Sequence, residues 1–137
     1  MPLYRIMSER GAITSAQKAE LAESIVEMHL RLAGGARWLV NVVFEEAATG
    51  GVFVAGKPAK RIFIGTSIRT GRSEQVKAAL LTEYSTLVSR VLGVSTSDMI
   101  AGLDEINPDN VMEAGFILPK VGEEEAWLKK VTAATAA

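Results

Sequence analysis

The feature that most constrains this chain is a pattern that occurs twice, offset by about 60 residues. Each copy reads strand, helix, strand. In the first copy, PLYRIMS (2–8) alternates apolar and polar residues, as a half-buried strand does, and Gly11 ends it. Thr14 followed by Gln17 has the spacing of a capping box and opens a helix that runs to about Leu32. Leu21, Ala22, Ile25, Met28, His29 and Leu32 recur at helical spacing and form its inner stripe, and Gly34 and Gly35 stop it. WLVNVVFEE (38–46) is rich in branched and aromatic residues and predicts a buried strand. A loop over 47–60 follows, with a short strand expected at Val52 to Val54. The pattern then restarts. RIFIGTSIR (61–69) predicts a strand, TGRS a turn with Ser73 as cap, and 74–92 a helix with Val76, Leu80, Tyr84, Leu87, Val88 and Val91 inside. Gly93 stops that helix, and DMIAGLDEI (98–106) predicts a weaker fourth strand. In this alignment Leu32 matches Leu92, Val40 matches Ile100 and Glu45 matches Glu105.

Two strands joined through one helix should be parallel, with a right-handed crossover. The expected fold is therefore α/β (α+β): a tandem β-α-β repeat forming a four-stranded, mostly parallel sheet with two helices on one face. The other face stays bare in a single chain. Segments such as WLVNVVF do not tolerate that, so an oligomer with sheet faces packed together is expected. The chain reads as one domain over 1–137, with a first unit at about 2–46, a second at about 61–106 and an extension at 107–137. In the extension, Asn107-Pro108 looks like the cap and first residue of a short helical turn. AGFILP (114–119) suggests a short strand added to a neighbour, GEEEAWLKKV (122–131) a last helix, and TAATAA a frayed end.

Composition removes several function classes. The chain has no cysteine, which excludes a disulfide framework, a thiolate metal site and a cysteine nucleophile, and fits a reducing compartment. Fifteen Lys and Arg stand against 16 Asp and Glu, with no basic face of the kind that nucleic acid requires. No apolar stretch approaches a membrane span, and MPLYRIMSERG lacks a signal-peptide core. A cytoplasmic protein acting on a small molecule is expected, with no membrane or nucleic-acid partner. With one histidine and no cysteine, no metal site is expected, and nothing calls for a cofactor.

Five residues stand out as carriers of chemistry. A small second residue permits removal of the initiator Met, and Pro2 would then present a secondary amine at the start of a strand. A free α-amino group titrates at about 7.7 to 8.0, and burial or nearby cations lower that value. A base poised near neutrality suits enolisation. Met-Pro on its own is a common accident and gains weight only in company. The company is IRTGRS (68–73): Arg69 ends a strand, Arg72 precedes a helix, and Gly71 bends the turn. Two guanidinium forks near a helix N-terminus make a carboxylate site, although two solvated loop arginines would read alike. His29 lies on the inner stripe in the last turn of its helix, where a core or capping role is the commoner one. Glu113 in NVMEAG reads locally as a surface carboxylate. Glu45, Glu46, Asp104 and Glu105 are ordinary strand-end charges, Glu123-Glu124-Glu125 a solvated helix start, and Trp38 and Trp127 packing anchors.

MPLY at the start, the MHL helix, VVFEE, IRTGRS, and VMEAGFILP followed by an acidic stretch and a Trp, in that order, resemble the tautomerase superfamily. The nearest branch is that of cis-3-chloroacrylic acid dehalogenase, whose chains carry two fused 4-oxalocrotonate-tautomerase-like units. The resemblance implies a homotrimer. It also implies Pro2 as acid or base, Arg69 and Arg72 on the substrate carboxylate and carbonyl, His29 assisting binding, and Glu113 as the water-activating carboxylate. A tautomerase acting on a 2-hydroxydienoate, enol or 2-keto acid is the expected activity. Dehalogenation or hydration of a 3-haloacrylate is the alternative, and a non-catalytic binding member the second. Dehalogenation is the weaker expectation, because the tyrosine that helps that branch position water corresponds here to Gly102.

Overall fold

A computed structural model describes residues 1–136. Two β-α-β units lie side by side. In the first, β1 (Leu3–Glu9) leads through α1 (Ser15–Ala33) to β2 (Asn41–Ala47). A small hairpin of β3 (Phe53–Val54) and β4 (Lys57–Pro58) follows. In the second unit, β5 (Ile62–Arg69) leads through α2 (Glu74–Leu92) to β6 (Met99–Ile106). The four long strands form one sheet in the order β2-β1-β5-β6. As expected for helix crossovers, β1 is parallel to β2 and β5 to β6. The units meet along an antiparallel seam between β1 and β5, where Leu3 pairs with Ser67 and Ile6 with Ile64. A pseudo-two-fold axis passes through that seam.

Local signals explain the helix bounds. The Thr14 hydroxyl accepts from the Gln17 backbone N–H while the Gln17 side chain accepts from the Thr14 N–H, completing the capping box. Ser73 caps α2 through the Val76 N–H, and Gly93 ends it in the left-handed conformation. Both helices lie on one face of the sheet. Leu21, Ile25 and Met28 from α1 and Leu80, Tyr84 and Val88 from α2 pack on Tyr4, Ile6, Ile62, Ile64 and Ile68. Ala22 and Val76 are only partly buried. The opposite face is uncovered and carries Met7, Val43, Phe63 and Ile100, with Gly65 paired to Gly102 at its centre.

Four sequence expectations need correction. The strand expected from Trp38 begins only at Asn41, because Arg37–Leu39 form a 3-10 turn that buries Leu39 in a second, smaller core. Trp38 is 52% exposed but stacks on buried Trp127, with ring centroids 5.9 Å apart. The strand at Phe116–Ile117 (β8) pairs within its own chain to β7 (Met112–Glu113), because Ala114 and Gly115 both have positive φ and fold the chain back. The last helix, α3, spans Glu124–Thr135, so 132–135 are helical where fraying was expected. Val131 is buried and its carbonyl accepts from the Thr135 hydroxyl, which holds that turn. Ala137, the last residue of the expected frayed end, lies outside the described residues.

The extension forms the second core. Leu39, Leu118, Trp127 and Val131 are buried together, and Met1, Ala36 and Phe116 pack against them. The Trp127 indole N–H donates to the Ile117 carbonyl at 2.8 Å. The turn at Pro108–Asn110 is capped by the Asn107 side chain, as its sequence suggested.

Truncating the main core should be costly. Leu80 is fully buried under the sheet, so Leu80→Ala is expected to lower unfolding stability by about 2–5 kcal/mol. Urea denaturation followed by circular dichroism measures this directly.

Candidate active site

Topology gathers the site at one end of the sheet. Since β1 and β2 are parallel, α1 must run back against them, and its last turn lies above the start of β1. Because β1 and β5 are antiparallel, the end of β5 and the following turn lie at that same place. Pro2, His29, Arg69 and Arg72 thus line one cleft, together with Met1, Gly34, Gly35, Ala36 and Leu39. With Met1 present the cleft has a volume of only about 10 Å³.

Arg69 is 5% exposed, and a buried guanidinium must be paired. Its Nη1 donates to the Pro119 carbonyl at 2.7 Å, and its Nη2 pairs with Glu124 Oε1 at 2.7 Å. Glu124 is therefore no solvated helix-start residue, as the acidic triplet suggested, but the anchor of α3 on β5. Burial pushes its carboxyl up, but the hydrogen bonds from Arg69 and the backbone outweigh this and hold it below its ordinary value. Arg72 donates through Nη1 to the Ala33 carbonyl in the last turn of α1, and its Nε–H is buried without a partner. Burial, then the neighbouring Arg69 charge, lowers the Arg72 value. Gly71, at φ +112, allows the turn that brings the two arginines to one cleft.

His29 is 1% exposed. Burial, then the Arg72 and Arg69 charges, pushes its imidazole down to about 4, so the ring is neutral near pH 7. Its Nδ1 lies 2.8 Å from the Tyr4 hydroxyl. Burial pushes the Tyr4 phenol up to about 12. Either group can donate in this pair, depending on which ring nitrogen carries the proton. Thr66, the cross-strand neighbour of Tyr4, buries its Oγ1 without a partner. The Tyr4 ring stands edge-on to both His29 and Tyr84, with centroids 5.7 and 5.0 Å away.

Glu113 approaches from the β7–β8 hairpin. It does not line the Pro2 cleft, but its carboxylate pairs with the terminal ammonium of Met1. Gly102 lies mid-strand on the uncovered face, and a Cβ built there meets no atom within 4 Å. Among the described residues, no group of three or more His, Cys, Asp and Glu could hold a metal ion, and no helix is long and apolar enough to cross a membrane.

Sequence reasoning missed two residues. Tyr4 was passed over as a site element, although strand alternation from Pro2 already turns it toward the face that His29 occupies. Glu124 was legible only as one of three consecutive acids; its selection over Glu123 and Glu125 depends on helix phase and on where Arg69 ends its strand.

A family model described as "putative oxalocrotonate tautomerase enzyme" matches residues 1–132. Among curated proteins nothing matches. Among solved structures, the protein N1, a member of the cis-3-chloroacrylic acid dehalogenase family, is 29% identical with a TM-score of 0.88, over 96% of this chain and 99% of that one. Native Ps01740 is 30% identical with a TM-score of 0.79, over 81% and 99%. The fused 4-OT Q0, a symmetric trimer, is 25% identical with a TM-score of 0.76, over 85% and 94%.

The single histidine makes the electrostatics testable. Its folded value of about 4 is below the ordinary 6.5. Between those values the unfolded chain binds more protons, so stability is full above about pH 6.5 and falls as pH drops toward 4. The loss should be on the order of 3 kcal/mol. Imidazole NMR titration should show no protonation midpoint above pH 5, and His29→Gln should flatten this part of the stability profile.

Proposed function

The chain belongs to the tautomerase superfamily, and on that premise we propose that it is a keto–enol tautomerase whose acid–base centre is the Pro2 amine, freed by removal of Met1. The observation that carries this is the cleft that Pro2 shares with His29, Arg69 and Arg72. Two cations and a neutral imidazole surround a position where an amine would sit. Their field disfavours the ammonium form and keeps the amine available as a base.

The substrate class is a small 2-hydroxydienoate, enol or 2-keto carboxylate. Arg69 and Arg72 hold the carboxylate, and the unpartnered Arg72 Nε–H is a donor still in need of an acceptor. The enol proton passes to Pro2 while the C–O bond gains carbonyl character. Pro2 then returns a proton to carbon, completing the 2-keto acid with no net gain or loss. The arginines stabilise the oxyanion that forms between these steps, and the neutral His29 ring lines the same cleft. The uncovered sheet face suits assembly as a homotrimer, the state of the fused 4-OT relative Q0. No cofactor takes part.

Hydration or dehalogenation of a 3-haloacrylate is a second reading. It is favoured by Glu113, whose carboxylate lies beside the chain terminus, and by the family of N1. There protonated Pro2 would give its proton to the α-carbon while Glu113 takes a proton from the water that adds to the β-carbon, and the resulting halohydrin would lose halide and a proton to leave an aldehyde. Gly102 supplies no hydroxyl to help position that water, so this activity ranks below tautomerisation.

Two experiments test these assignments. Incubation with 3-bromopropiolate should label the Pro2 nitrogen of a chain lacking Met1, read by peptide mass, and Arg69→Ala should slow labelling at least tenfold. Unlabelled Pro2 would end the catalytic proposal. Pro2→Ala should remove more than 99% of enol ketonisation. Glu113→Gln should leave ketonisation within a few fold while abolishing any hydration of 3-haloacrylates.

A further inference from the structure

Met1 is a guest in its own site. Its side chain is only 12% exposed and packs against the second core of Leu39, Leu118, Trp127 and Val131. It also lines the cleft with Pro2, Arg69 and Arg72. The 10 Å³ left over cannot admit a substrate. Excision of Met1 would add the volume of that residue to the cleft, and the Met1 contacts describe the walls of the added space. One side is cationic, from the two arginines. The other, from the extension, is apolar, with the Glu113 carboxylate where the Met1 ammonium ends. The vacated path begins at the Pro2 nitrogen itself, because the Met1 carbonyl carbon was bonded to it at about 1.33 Å.

We propose that this vacated path is a substrate subsite, one that selects 2-keto acids and their enols carrying an unbranched apolar arm of about four heavy atoms, the length of a methionine side chain. The subsite rests on the proposed role of Pro2 in one respect: the arm is threaded past that nitrogen. The carbonyl carbon lies where the Met1 backbone lay, and the first carbon of the arm beside it is within proton-transfer reach of Pro2. The carboxylate end meets Arg69 and Arg72, and the other end follows the Met1 side-chain path. Leu39 and Trp127, held by the 3-10 turn and by α3, belong to the core that Met1 packs against and make that side of the path apolar. An arm shorter than methionine leaves part of the lining without contacts, and a longer one meets the buried core.

The test is a series of straight-chain 2-keto acids from pyruvate to 2-ketooctanoate, with binding to the Met1-free chain followed by calorimetry and ketonisation of the matching enols by absorbance. Affinity and kcat/KM should rise about fourfold per methylene to 2-ketohexanoate and fall beyond it. A chain that retains Met1 should bind none of them. Ala36→Leu, which narrows the path, should cut the preference for 2-ketohexanoate over pyruvate at least tenfold. Equal affinity along the series, or equal binding by the Met1-retaining chain, overturns the subsite. If Ala36→Leu does not fold, the length series in the unaltered chain still decides. A length optimum in binding without ketonisation sinks the tautomerase proposal and leaves the subsite standing. Ketonisation without a length optimum does the reverse, and a series that neither binds nor reacts overturns both.

Discussion

The antiparallel seam between β1 and β5 is the constraint on which the rest depends. Each β-α-β unit is locally determined: a strand, a capped helix and a parallel return strand follow from alternation, capping and handedness. Those rules leave open how the two units join. Had their central strands run parallel, Pro2 and Arg69 would lie at opposite ends of the sheet. The pairing of Leu3 with Ser67 brings them to one end. The last turn of α1 and the first of α2 then arrive there by topology, with His29 and Arg72. Three stretches that are far apart in sequence become neighbours through one strand pairing.

The seam also creates an electrostatic problem that the C-terminal extension solves. It places the Arg69 guanidinium at a strand end, where it is buried with Arg72 close by. Two unneutralised cations there would oppose folding. Glu124 and the Pro119 carbonyl meet Arg69, and the Ala33 carbonyl meets Arg72. The extension is thereby tied to the sheet by a buried ion pair at one point and by the Leu39–Trp127 core at another. Burial, with the same two charges adding to it, keeps His29 neutral, so the site has its positive potential from arginine alone.

Much of this was legible in the chain. Repetition predicted four strands, two long helices and a bare sheet face, because spacing of apolar residues and caps is a local property. Pro2, His29, Arg69 and Arg72 could be named, yet their meeting depends on the β1–β5 direction, which no local pattern encodes. The two hairpins were hidden for a different reason. Their turns use Ala55-Gly56 and Ala114-Gly115, and alanine at positive φ is a poor turn signal. Leu39 looked like part of a strand because an apolar run carries no mark of where a second core will claim one residue. Tyr4 was visible as a core aromatic, while its hydrogen bond to Nδ1 depends on how α1 packs across the sheet.

The pseudo-two-fold axis relates the two ends of the sheet but cannot make them equal. At the far end, the start of β5 occupies the place that the start of β1 holds in the site. There the chain passes through Lys60 and Arg61 without a break, beside Glu9 and Arg10. A linear polymer has one beginning, so only one of two matching corners can carry a terminal nitrogen. Joining two repeats into one chain therefore halves the number of such nitrogens per sheet relative to two separate repeats. At the second corner the residue that the repeat sets against Pro2 is Ile62, whose nitrogen is an amide inside the chain and has no basic lone pair to offer.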